Sequence, residues 1–431
     1  MFTKKGENIP EIRFPEFSDA WKQRKFGDSF DFLQNNTLSR ASLNDNSGCA
    51  KNVHYGDILV KFGESISAEK ADLPFICDKE LLKKFSNSIL KNGDVVIADT
   101  AEDMTTGKSC EIVDVDECMP VLAGLHTIPV RPKQKFGKYY LGYYLNSEAF
   151  HSQLIPLIQG IKVYSISKTS IKDTFVMFPD DVQEQAKIGS LFNRIDNTIT
   201  LQQRKLNSLQ KLKKGLLQKM FPKNGENIPE IRFPEFSDAW KQRKLREVVK
   251  EFYNGQTPYR QNKAYWGGNV NWLTSGDLNR SVVTNTIEKI TEEGQKASRL
   301  RIIPKGTLVI AIMGLEAAGT RGNCGILGID TTINQACMAL IANDSIATKD
   351  FLFQWYKVFG NSLALKFTQG TKQQNYNEEL LGNLDISYPS LKEQQQIGSF
   401  FTKLDNTITL QQRKLESLQK LKKGLLQQMF I

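Results

Sequence analysis

The amino-acid sequence predicts an α+β protein in which two globular α+β domains are joined by two long helices, with an internal pseudo-two-fold relation. Three observations lead to this prediction. Two segments of the chain recur almost unchanged, the stretches between them differ in sequence, and one recurring segment has the apolar spacing of a long helix. The 431 residues are enough for two or three domains.

The first recurring segment is a strap at the start of each half. Gly6–Lys25 and Gly225–Lys244 are identical at all twenty positions. Two prolines within six residues exclude a regular helix, so we expect an extended strap whose aromatic residues pack on the rest of the repeat. Trp21 and its copy Trp240 are interpreted as core anchors rather than as residues that stack on bases.

The second recurring segment is a long helix. The segment that starts at Glu184 recurs from Glu393 with eight differences over 38 positions. A capping box, Asp181-x-x-Glu184 or Ser390-x-x-Glu393, marks the start of each copy. About 40 residues at 1.5 Å each correspond to a rod of roughly 60 Å.

Each helix carries one apolar stripe, with residues mostly three, four or seven positions apart. The stripe residues expected to pack between helices or against a partner are Ile188, Leu191, Ile195, Leu206, Leu209, Leu216, Ile397, Phe400, Leu404, Leu415, Leu418 and Leu425. We expect the two helices to pair antiparallel as a coiled coil within one chain. The alternative is that each stripe packs on its own domain. Within the helices, a close backbone approach or a break is expected at Gly189, Gly215, Gly398 and Gly424.

The stretches between the repeats predict two α+β domains of about 150 residues each. In the first, Asp57–Phe62 and Asp94–Ala98 are expected as strands and Tyr139–Phe150 as a helix. In the second, Thr307–Met313 is expected as a strand and Asp350–Phe359 as a helix. The chain thus divides into a strap 1–25, a first domain 26–183, a helix 184–221, a second strap 222–244, a second domain 245–392 and a helix 393–431.

The charge balance favours a polyanionic partner, either nucleic acid or an acidic membrane surface. Lys and Arg number 57 against 47 Asp and Glu, which gives a net charge of +10. The six cysteines form no C-x-x-C pair and the three histidines do not cluster, so we expect no metal site. Scattered cysteines, no apolar leader at the start and no run near the ~20 residues of a membrane span predict a soluble cytoplasmic protein.

A polar loop precedes the last strand of each insert and is a candidate for contact with DNA. Glutamine and asparagine can pair with adenine, lysine can donate to guanine or phosphate, and tyrosine can stack or reach a phosphate. The candidates in the two loops are Gln159, Lys162 and Tyr164 in the first and Gln369, Lys372, Gln373, Gln374, Asn375 and Tyr376 in the second. The candidates elsewhere are Lys108, Tyr259, Arg260 and Arg321.

The sequence contains no complete catalytic motif. Gly107-Lys108-Ser109 has the end of a phosphate-binding loop, but Glu102 stands where that loop needs a glycine. No arrangement places a nucleophile beside a base. We therefore expect a non-catalytic chain without catalytic or metal-binding residues.

Several motifs resemble specificity subunits of Type I restriction-modification enzymes. Asn254–Pro258 (NGQTP) followed by Tyr265–Gly268 (YWGG) resembles the opening of a target-recognition domain in that family. Gln369–Thr371 leading into Ile386–Pro389 and Glu393–Ile397 resembles its close. The second insert is therefore similar to such a domain.

The first insert is similar to another branch of that domain family. The similarity lies in Tyr55–Val60 (YGDILV), in Glu102 and Asp103 before Gly107–Ser109, and in the closing segment Pro179–Ile188. The resemblance covers essentially the whole chain, including the order of repeats and inserts.

The resemblance implies a DNA-recognition subunit whose two domains each read one half of an asymmetric bipartite target in double-stranded DNA. It implies assembly with two modification (methyltransferase) subunits for adenine methylation, and with two restriction (motor-nuclease) subunits for cleavage. S-adenosylmethionine, ATP and Mg are expected on those partners and no cofactor on this chain. The helices are expected to set the spacer and to dock the modification subunits. A free-standing DNA-binding regulator and a scaffold that binds only protein are the alternatives.

Overall fold

The two long helices are shared between two structural units. The computed structural model of the protein describes residues 8–223, 226–315, 319–367 and 375–431. Unit 1 consists of Met1–Gln203 with Arg413–Ile431, and unit 2 consists of Arg204–Gln412. Each unit thus holds one insert, one strap, the first part of one long helix and the last part of the other.

The strands of unit 1 form a five-stranded sheet, a three-stranded sheet and two strand pairs. They are β1 (Lys22–Lys25), β2 (Phe30–Phe32), β3 (Ala50–Val53), β4 (Ser65–Ser67), β5 (Phe75–Ile76), β6 (Val95–Ala98), β7 (Thr100–Ala101), β8 (Ser109–Val113), β9 (Val121–Ala123), β10 (Thr127–Pro132), β11 (Tyr164–Ser165) and β12 (Phe175–Phe178). The sheet orders are β2-β10-β6-β8-β4 and β5-β3-β9, while β1 pairs with β12 and β7 with β11. Within these sheets, β4–β8 and β3–β9 are parallel and the other pairs are antiparallel.

Six short α-helices precede the first long helix in the described part of unit 1. They are α1 (Phe26–Ser29), α2 (Tyr55–Val60), α3 (Lys79–Lys84), α4 (Tyr140–Asn146), α5 (Glu148–Leu154) and α6 (Lys168–Lys172), and the long helix is α7 (Val182–Lys219), which continues into unit 2. Of the short helices, α2 and α4 contact the five-stranded sheet, and α3 packs with residues of the three-stranded sheet. The predicted strand at Asp94–Ala98 is confirmed by β6, and the predicted helix at Tyr139–Phe150 corresponds to α4 and the start of α5.

The predicted strand at Asp57–Phe62 is wrong, because this segment begins with α2. A strand would turn Ile58 and Val60 to the same side, yet Ile58 is fully buried and Val60 is 88% exposed. The His54 imidazole accepts a hydrogen bond from the Gly56 N–H at the start of this helix. A short apolar run does not distinguish strand from helix, and here the cap decides.

Unit 2 repeats the topology of unit 1 with a different sequence. Its strands are β13 (Lys241–Lys244), β14 (Val249–Asn254), β15 (Trp266–Leu273), β16 (Ser281–Val283), β17 (Glu288–Ile290), β18 (Leu308–Ala311), β19 (Cys324–Leu327), β20 (Thr332–Ile333), β21 (Cys337–Ala342) and β22 (Asp385–Tyr388). Its helices are α8 (Leu245–Val248), α9 (Glu292–Ala297), α10 (Lys349–Phe367), α11 (Glu378–Gly382) and α12 (Leu391–Met429), which continues into unit 1. The sheet orders β14-β21-β18-β19-β16 and β17-β15-β20 match those of unit 1, and β13 pairs with β22 as β1 does with β12. The parallel pairs are again equivalent, β16–β19 and β15–β20.

Alternate residues of the central strands enter two different hydrophobic cores. In β6, Val95 packs with the aromatic residues of α4, whereas its neighbour Val96 packs with the three-stranded sheet. In β18, Leu308 and Val309 divide in the same way. Burial on both faces explains why these strands are continuous apolar runs in the sequence, and β18 and α10 confirm the two elements predicted for the second insert.

Within each unit, the start of one long helix packs on the end of the other. In unit 1, Asp196 of α7 contacts Lys422 of α12 at 2.7 Å, and one turn before Asp196 the ring of Phe192 stacks on Phe430 at 5.6 Å. Positions on one helix fall as those on the other rise, so the predicted antiparallel pairing is confirmed. The same hydrophobic core also contains insert residues, so the stripe packs on its own domain as well.

The repeated helices make one contact twice with exchanged roles. In unit 2, Lys213 of α7 pairs with Asp405 of α12. These residues correspond to Lys422 and Asp196 in the other copy, so the same ion pair occurs within each unit.

All twelve stripe residues named from the sequence are buried or partly buried. The buried ones are Ile188, Leu206, Ile397 and Leu415. The partly buried ones are Leu191, Ile195, Leu209, Leu216, Phe400, Leu404, Leu418 and Leu425. Phe192 and Phe401, at equivalent places in the two copies, are fully buried and were not among the residues named.

The capping box predicted at the start of each helix is only half present. The side chains of Asp181 and Ser390 accept hydrogen bonds from backbone N–H groups of the first turn, at 2.7 and 3.4 Å. The carboxylates of Glu184 and Glu393 are bound instead by arginines of the straps. A buried carboxylate gains more from a guanidinium than from one backbone N–H, so the ion pair wins.

The four glycines inside the long helices divide into two classes. A Cβ at Gly189 would lie 2.4 Å from a backbone carbonyl oxygen of the insert, and one at Gly398 would lie 2.7 Å from an insert side chain. Gly215 and Gly424 face open space. Both helices continue through all four glycines, so close approach explains the first pair and none of them marks a break.

Candidate nucleic-acid interface

Five loops of the first insert are joined into one surface, which we call loop face 1. It consists of residues 33–40, 54–57, 99–108, 124–126 and 159–166. The Gly124 N–H donates to the Val53 carbonyl oxygen at 2.9 Å. The Asp99 N–H donates to the His126 carbonyl oxygen at 3.2 Å, and the Ile166 N–H to the Asp99 carbonyl oxygen at 2.9 Å. These bonds between backbone groups fix the loops whatever side chains they carry.

The second insert builds the same surface from equivalent bonds. We call loop face 2 the described residues 254–260, 274–277, 312–315, 319–323, 334–336 and 375–377. The Asn334 N–H donates to the Leu273 carbonyl oxygen at 2.9 Å. The Ile312 N–H donates to Ala336 at 2.9 Å, and the Tyr376 N–H donates to Ile312 at 2.8 Å. Two inserts of different sequence therefore present different side chains on one backbone arrangement.

The predicted polar loop of the first insert lies at the edge of loop face 1. Gln159 and Ser165 exchange both backbone hydrogen bonds, at 2.9 and 2.8 Å, and close the loop. Gly160 has a φ of 133°, where a Cβ would meet a backbone oxygen at 1.9 Å. Gln159 and Lys162 are exposed and Tyr164 is half-buried in β11.

Lys108 has a partner within the insert. Its ammonium donates to the carbonyl oxygens of Leu59 and Phe62 at 3.2 and 2.8 Å, where α2 ends. A lysine at a helix C-terminus stabilises the unpaired carbonyls there. This contact makes Lys108 a support of loop face 1 rather than a free cation.

The predicted residues at the start of the second insert fall into two environments. Tyr259 is 63% exposed, and its hydroxyl donates to Gln261 at 2.6 Å. The Arg260 guanidinium stacks on Trp266 at 3.9 Å and binds Glu288 bidentately at 2.6 and 2.9 Å. Arg260 therefore holds the loop that presents Tyr259.

The other predicted residues of loop face 2 also differ in exposure. Asn375 is exposed, and Arg321 is half-buried with its Nε donating to the Leu315 carbonyl oxygen at 2.9 Å. Tyr376 is 3% exposed, and burial raises its pKa. The prediction that Tyr376 contacts DNA does not fit its place in the hydrophobic core of unit 2. The predicted residues Gln369, Lys372, Gln373 and Gln374 lie outside the described residues.

Several polar residues of the two faces were not named as site residues from the sequence. On loop face 1 they are the exposed His126 and the half-buried Tyr55, and on loop face 2 the exposed Gln335 and the half-buried Thr257. They come from separate loops that meet only in the fold. The only local sequence signal is that each follows a strand after one to three residues.

One ion pair ties each repeated strap to the start of the long helix in the same unit. Arg13 binds Glu184 at 2.6 and 2.8 Å, and Arg232 binds Glu393 at 2.8 Å through both nitrogens. The arginine side chains are 10% and 11% exposed and both glutamates 1%. The same strap–helix junction is therefore formed in both units, although the inserts between strap and helix differ in sequence.

The helices receive the two inserts through groups of opposite charge. In unit 1, insert residue Glu64 binds Lys422 at 2.7 Å, and the Tyr143 hydroxyl donates to Asp196 at 2.7 Å. Burial alone would lower the pKa of Lys422, but the two carboxylates outweigh it and the pKa is raised. In unit 2, insert residue Lys357 binds the corresponding aspartate at 3.0 Å. A lysine–aspartate pair can accept either charge, so the same pair in the two nearly identical helices suits both inserts.

Metal binding and thiol chemistry can be assessed for the part of the chain that the structure describes. No group of three or more His, Cys, Asp or Glu there could hold a metal ion. Burial raises the pKa of Cys110 and Cys324 to about 12, so these thiols are poor nucleophiles. Among the described helices, none has the length and apolar character to cross a membrane.

The fold defines a two-domain recognition protein built on an internal repeat, and a family model gives its class. The model described as "Type I restriction modification DNA specificity domain" matches residues 18–211 and again residues 237–420. These matches take up most of the chain, one in each half. The chain therefore belongs to the family of Type I restriction-modification specificity subunits.

Curated relatives carry the same description. The chain is 29% identical over 196 residues to the Type I restriction enzyme MjaIX specificity subunit of Methanocaldococcus jannaschii. The aligned region covers 44% of each chain. It is 26% identical over 250 residues to the EcoR124I/EcoR124II specificity subunit of Escherichia coli, covering 57% of this chain and 59% of that one. The chain thus spans about half the length of these two relatives. The putative MjaX specificity subunit of M. jannaschii is 20% identical over 433 residues, 98% of this chain and 95% of that one.

Two solved structures share the fold. A Type-I restriction-modification system S subunit from M. genitalium has a TM-score of 0.61 at 14% identity, covering 98% of this chain and 99% of that one. A chain from a study of complex assembly and conformational transition of the type I R-M system has a TM-score of 0.51 at 16% identity, covering 94% and 96%. The predicted architecture is thereby confirmed.

Proposed function

We propose that this chain chooses the DNA sequence on which a Type I restriction-modification complex acts, with each insert reading one half of an asymmetric bipartite target. The observation that carries the proposal is the pair of loop faces. Both have the same hydrogen-bonded backbone, while their exposed side chains differ. A fixed scaffold with variable exposed residues suits a protein that reads two different base sequences.

Different contacts with DNA would supply the binding affinity and the discrimination between base sequences. The net charge of +10 favours binding to phosphates, and this part of the affinity falls as salt rises. Discrimination between bases requires side chains at base edges in the grooves. On this proposal the exposed residues of the two faces, together with Gln369, Lys372, Gln373 and Gln374, supply that choice.

The repeats would serve spacing and assembly. In other DNA readers the distance between two reading elements fixes the distance between half-sites, and we assign that task to α7 and α12. Two copies of one surface suit two copies of one partner, so we propose that the repeats dock two modification subunits. Two restriction subunits would join for cleavage. S-adenosylmethionine, ATP and Mg would be bound by those partners, which also carry out methylation and cleavage.

The modular proposal is tested by exchanging one insert. Residues 26–183 are replaced by the insert of another family member, and the methylated motif is read by single-molecule sequencing of cells that also express the modification subunit. We expect one half of the motif to change while the other half stays as it was. The matched control replaces residues 245–392 and should change only the opposite half. A change in both halves after a single exchange would overturn modular reading.

Assembly is tested separately by co-purification with the modification subunit. The account expects a stable complex with two modification subunits per chain. A chain that binds duplex DNA in a salt-dependent way but never captures the modification subunit would be a free-standing regulator instead.

A further inference from the structure

One turn in each unit carries an exposed polar side chain that contacts a polar side chain of a neighbouring loop. The turn joins β9 to β10 in unit 1 and β20 to β21 in unit 2. Its polar side chain is His126 in unit 1 and Gln335 in unit 2, and both are exposed. The two turns are equivalent, because the residues around them make the same backbone hydrogen bonds.

The His126 ring is oriented by two other loops. Its Nδ1 lies 3.4 Å from the Asp99 carboxylate and 3.5 Å from the Thr100 hydroxyl, which itself donates to Asp99 at 2.8 Å. The Tyr55 ring meets the imidazole edge-on at 5.2 Å. A carboxylate beside Nδ1 favours a proton on that nitrogen, and in the neutral imidazole with its proton there Nε2 is an acceptor. The side chain is nonetheless 48% exposed.

The backbone at His126 is strained in a way that the shared topology does not require. His126 has a φ of 56°, in the left-handed region that non-glycine residues seldom adopt. Ala336, at the equivalent place, does not have a positive φ. The left-handed conformation therefore occurs in unit 1, where the turn carries a histidine, and not at the alanine of unit 2. Residues held in such conformations concentrate at functional sites.

Gln335 is supported in a comparable way. The Thr257 hydroxyl, from the loop after β14, donates to its Oε1. An amide oxygen has two lone pairs, so Oε1 can accept a second hydrogen bond while Nε2 donates. A glutamine held in this manner keeps the donor and acceptor pair that matches adenine N7 and N6 in the major groove.

We propose that His126 and Gln335 are base-reading residues, one for each half-site, and that Asp99 and Thr257 are their positioning residues. This inference rests on the proposed function. The Nε2 acceptor of His126 would receive an exocyclic amino group, adenine N6–H or cytosine N4–H, and Gln335 would pair with adenine. Because the two residues lie in equivalent turns, with Gln335 one position before the equivalent of His126, their bases should occupy the same or neighbouring places in the two half-sites.

The test is the methylation motif of cells that express each variant with the modification subunit. His126→Ala should lower discrimination at one base of the first half-site by 10-fold to 100-fold and leave the second half-site unchanged. Asp99→Ala should relax the same base. Gln335→Ala should relax one base of the second half-site only, so each variant is the control for the other.

Two further measurements keep the test independent of folding and of the proposed function. His126→Asn tolerates the left-handed backbone, so it should fold and change which base is accepted. His126→Ala should leave the salt dependence of binding to random duplex DNA unchanged, whereas loss of a phosphate contact would lower its slope by about one. Full stringency in both half-sites after His126→Ala and His126→Asn would overturn the inference. If the exchange of residues 26–183 also left the motif unchanged, the proposed function itself would fail.

Discussion

The strap ion pairs allow a quantitative prediction, because the chain contains the same pair twice. Arg13→Ala would leave the Glu184 carboxylate, which is 1% exposed, without its bidentate partner at 2.6 and 2.8 Å. Removing one member of a buried ion pair costs about 3–5 kcal/mol. Arg232→Ala should cost unit 2 the same, since its pair has the same burial and distances within 0.2 Å. Replacing both Arg13 and Glu184 by leucine should cost far less, because no buried charge remains.

Amide hydrogen exchange measures this loss in each unit separately. The Trp21 N–H donates to the Asn8 carbonyl oxygen at 2.8 Å. In Arg13→Ala it should exchange roughly 100-fold to several thousand-fold faster, which is the loss of about 3–5 kcal/mol expressed as a rate ratio. Because the straps are identical, only peptides that extend past Lys25 or Lys244 report on one copy. The control is Arg24→Ala, whose ion pair is more than 40% exposed and should contribute little. Two results would contradict the role given to the ion pair: an unchanged Trp21 exchange rate in Arg13→Ala, or an equally large increase in that rate in the double leucine variant.

Three other perturbations have defined outcomes. Four residues inserted within 201–212, about one helical turn, should lengthen the spacer of the methylated motif and keep both half-sites; an unchanged spacer would contradict the role given to the helices. Gly215→Ala should stabilise the protein by up to ~1 kcal/mol in thermal unfolding, because the new Cβ would face open space. Gly189→Ala should destabilise it, because the new Cβ would lie 2.4 Å from a backbone carbonyl oxygen. Equal effects of the two substitutions would contradict the close approach at Gly189. Burial raises the pKa of Glu111 to about 7 from its ordinary 4.5, so the folded state holds the proton longer than the unfolded state and stability should fall as pH rises from about 5 to 7. Glu111→Gln should make the free energy of unfolding depend less on pH in this range. Parallel curves of unfolding free energy against pH for the two proteins would contradict the raised pKa of Glu111.

The sequence predicted those parts of the fold that depend on local periodicity. The long helices, β6 and β18 follow from apolar spacing and from continuous apolar runs. The segment of α2 was assigned wrongly because its pattern suits both a strand and a helix, and the deciding cap involves His54 outside the pattern. The second half of each predicted capping box is absent for a related reason. The partner of Glu184 is an arginine 171 residues away in the sequence, so a local pattern does not show it.

The candidate interface was less accessible to sequence analysis. Polar loops could be located, and the first one does lie on loop face 1. Exposure could not be read from residue type: Tyr376 is buried, and Arg260 is neutralised by Glu288. His126 could not be found, because its support comes from a loop about 26 residues earlier and becomes visible only in the folded chain.

The central claim is that this chain determines which DNA sequence is modified. Single-molecule sequencing of adenine methylation, in cells that contain the modification subunit with and without this chain, tests it most directly. We expect a methylated motif that is asymmetric and divided into two half-sites, and that is present only when the chain is expressed. A motif that persists without the chain, or one that is contiguous and symmetric, would contradict the proposed function.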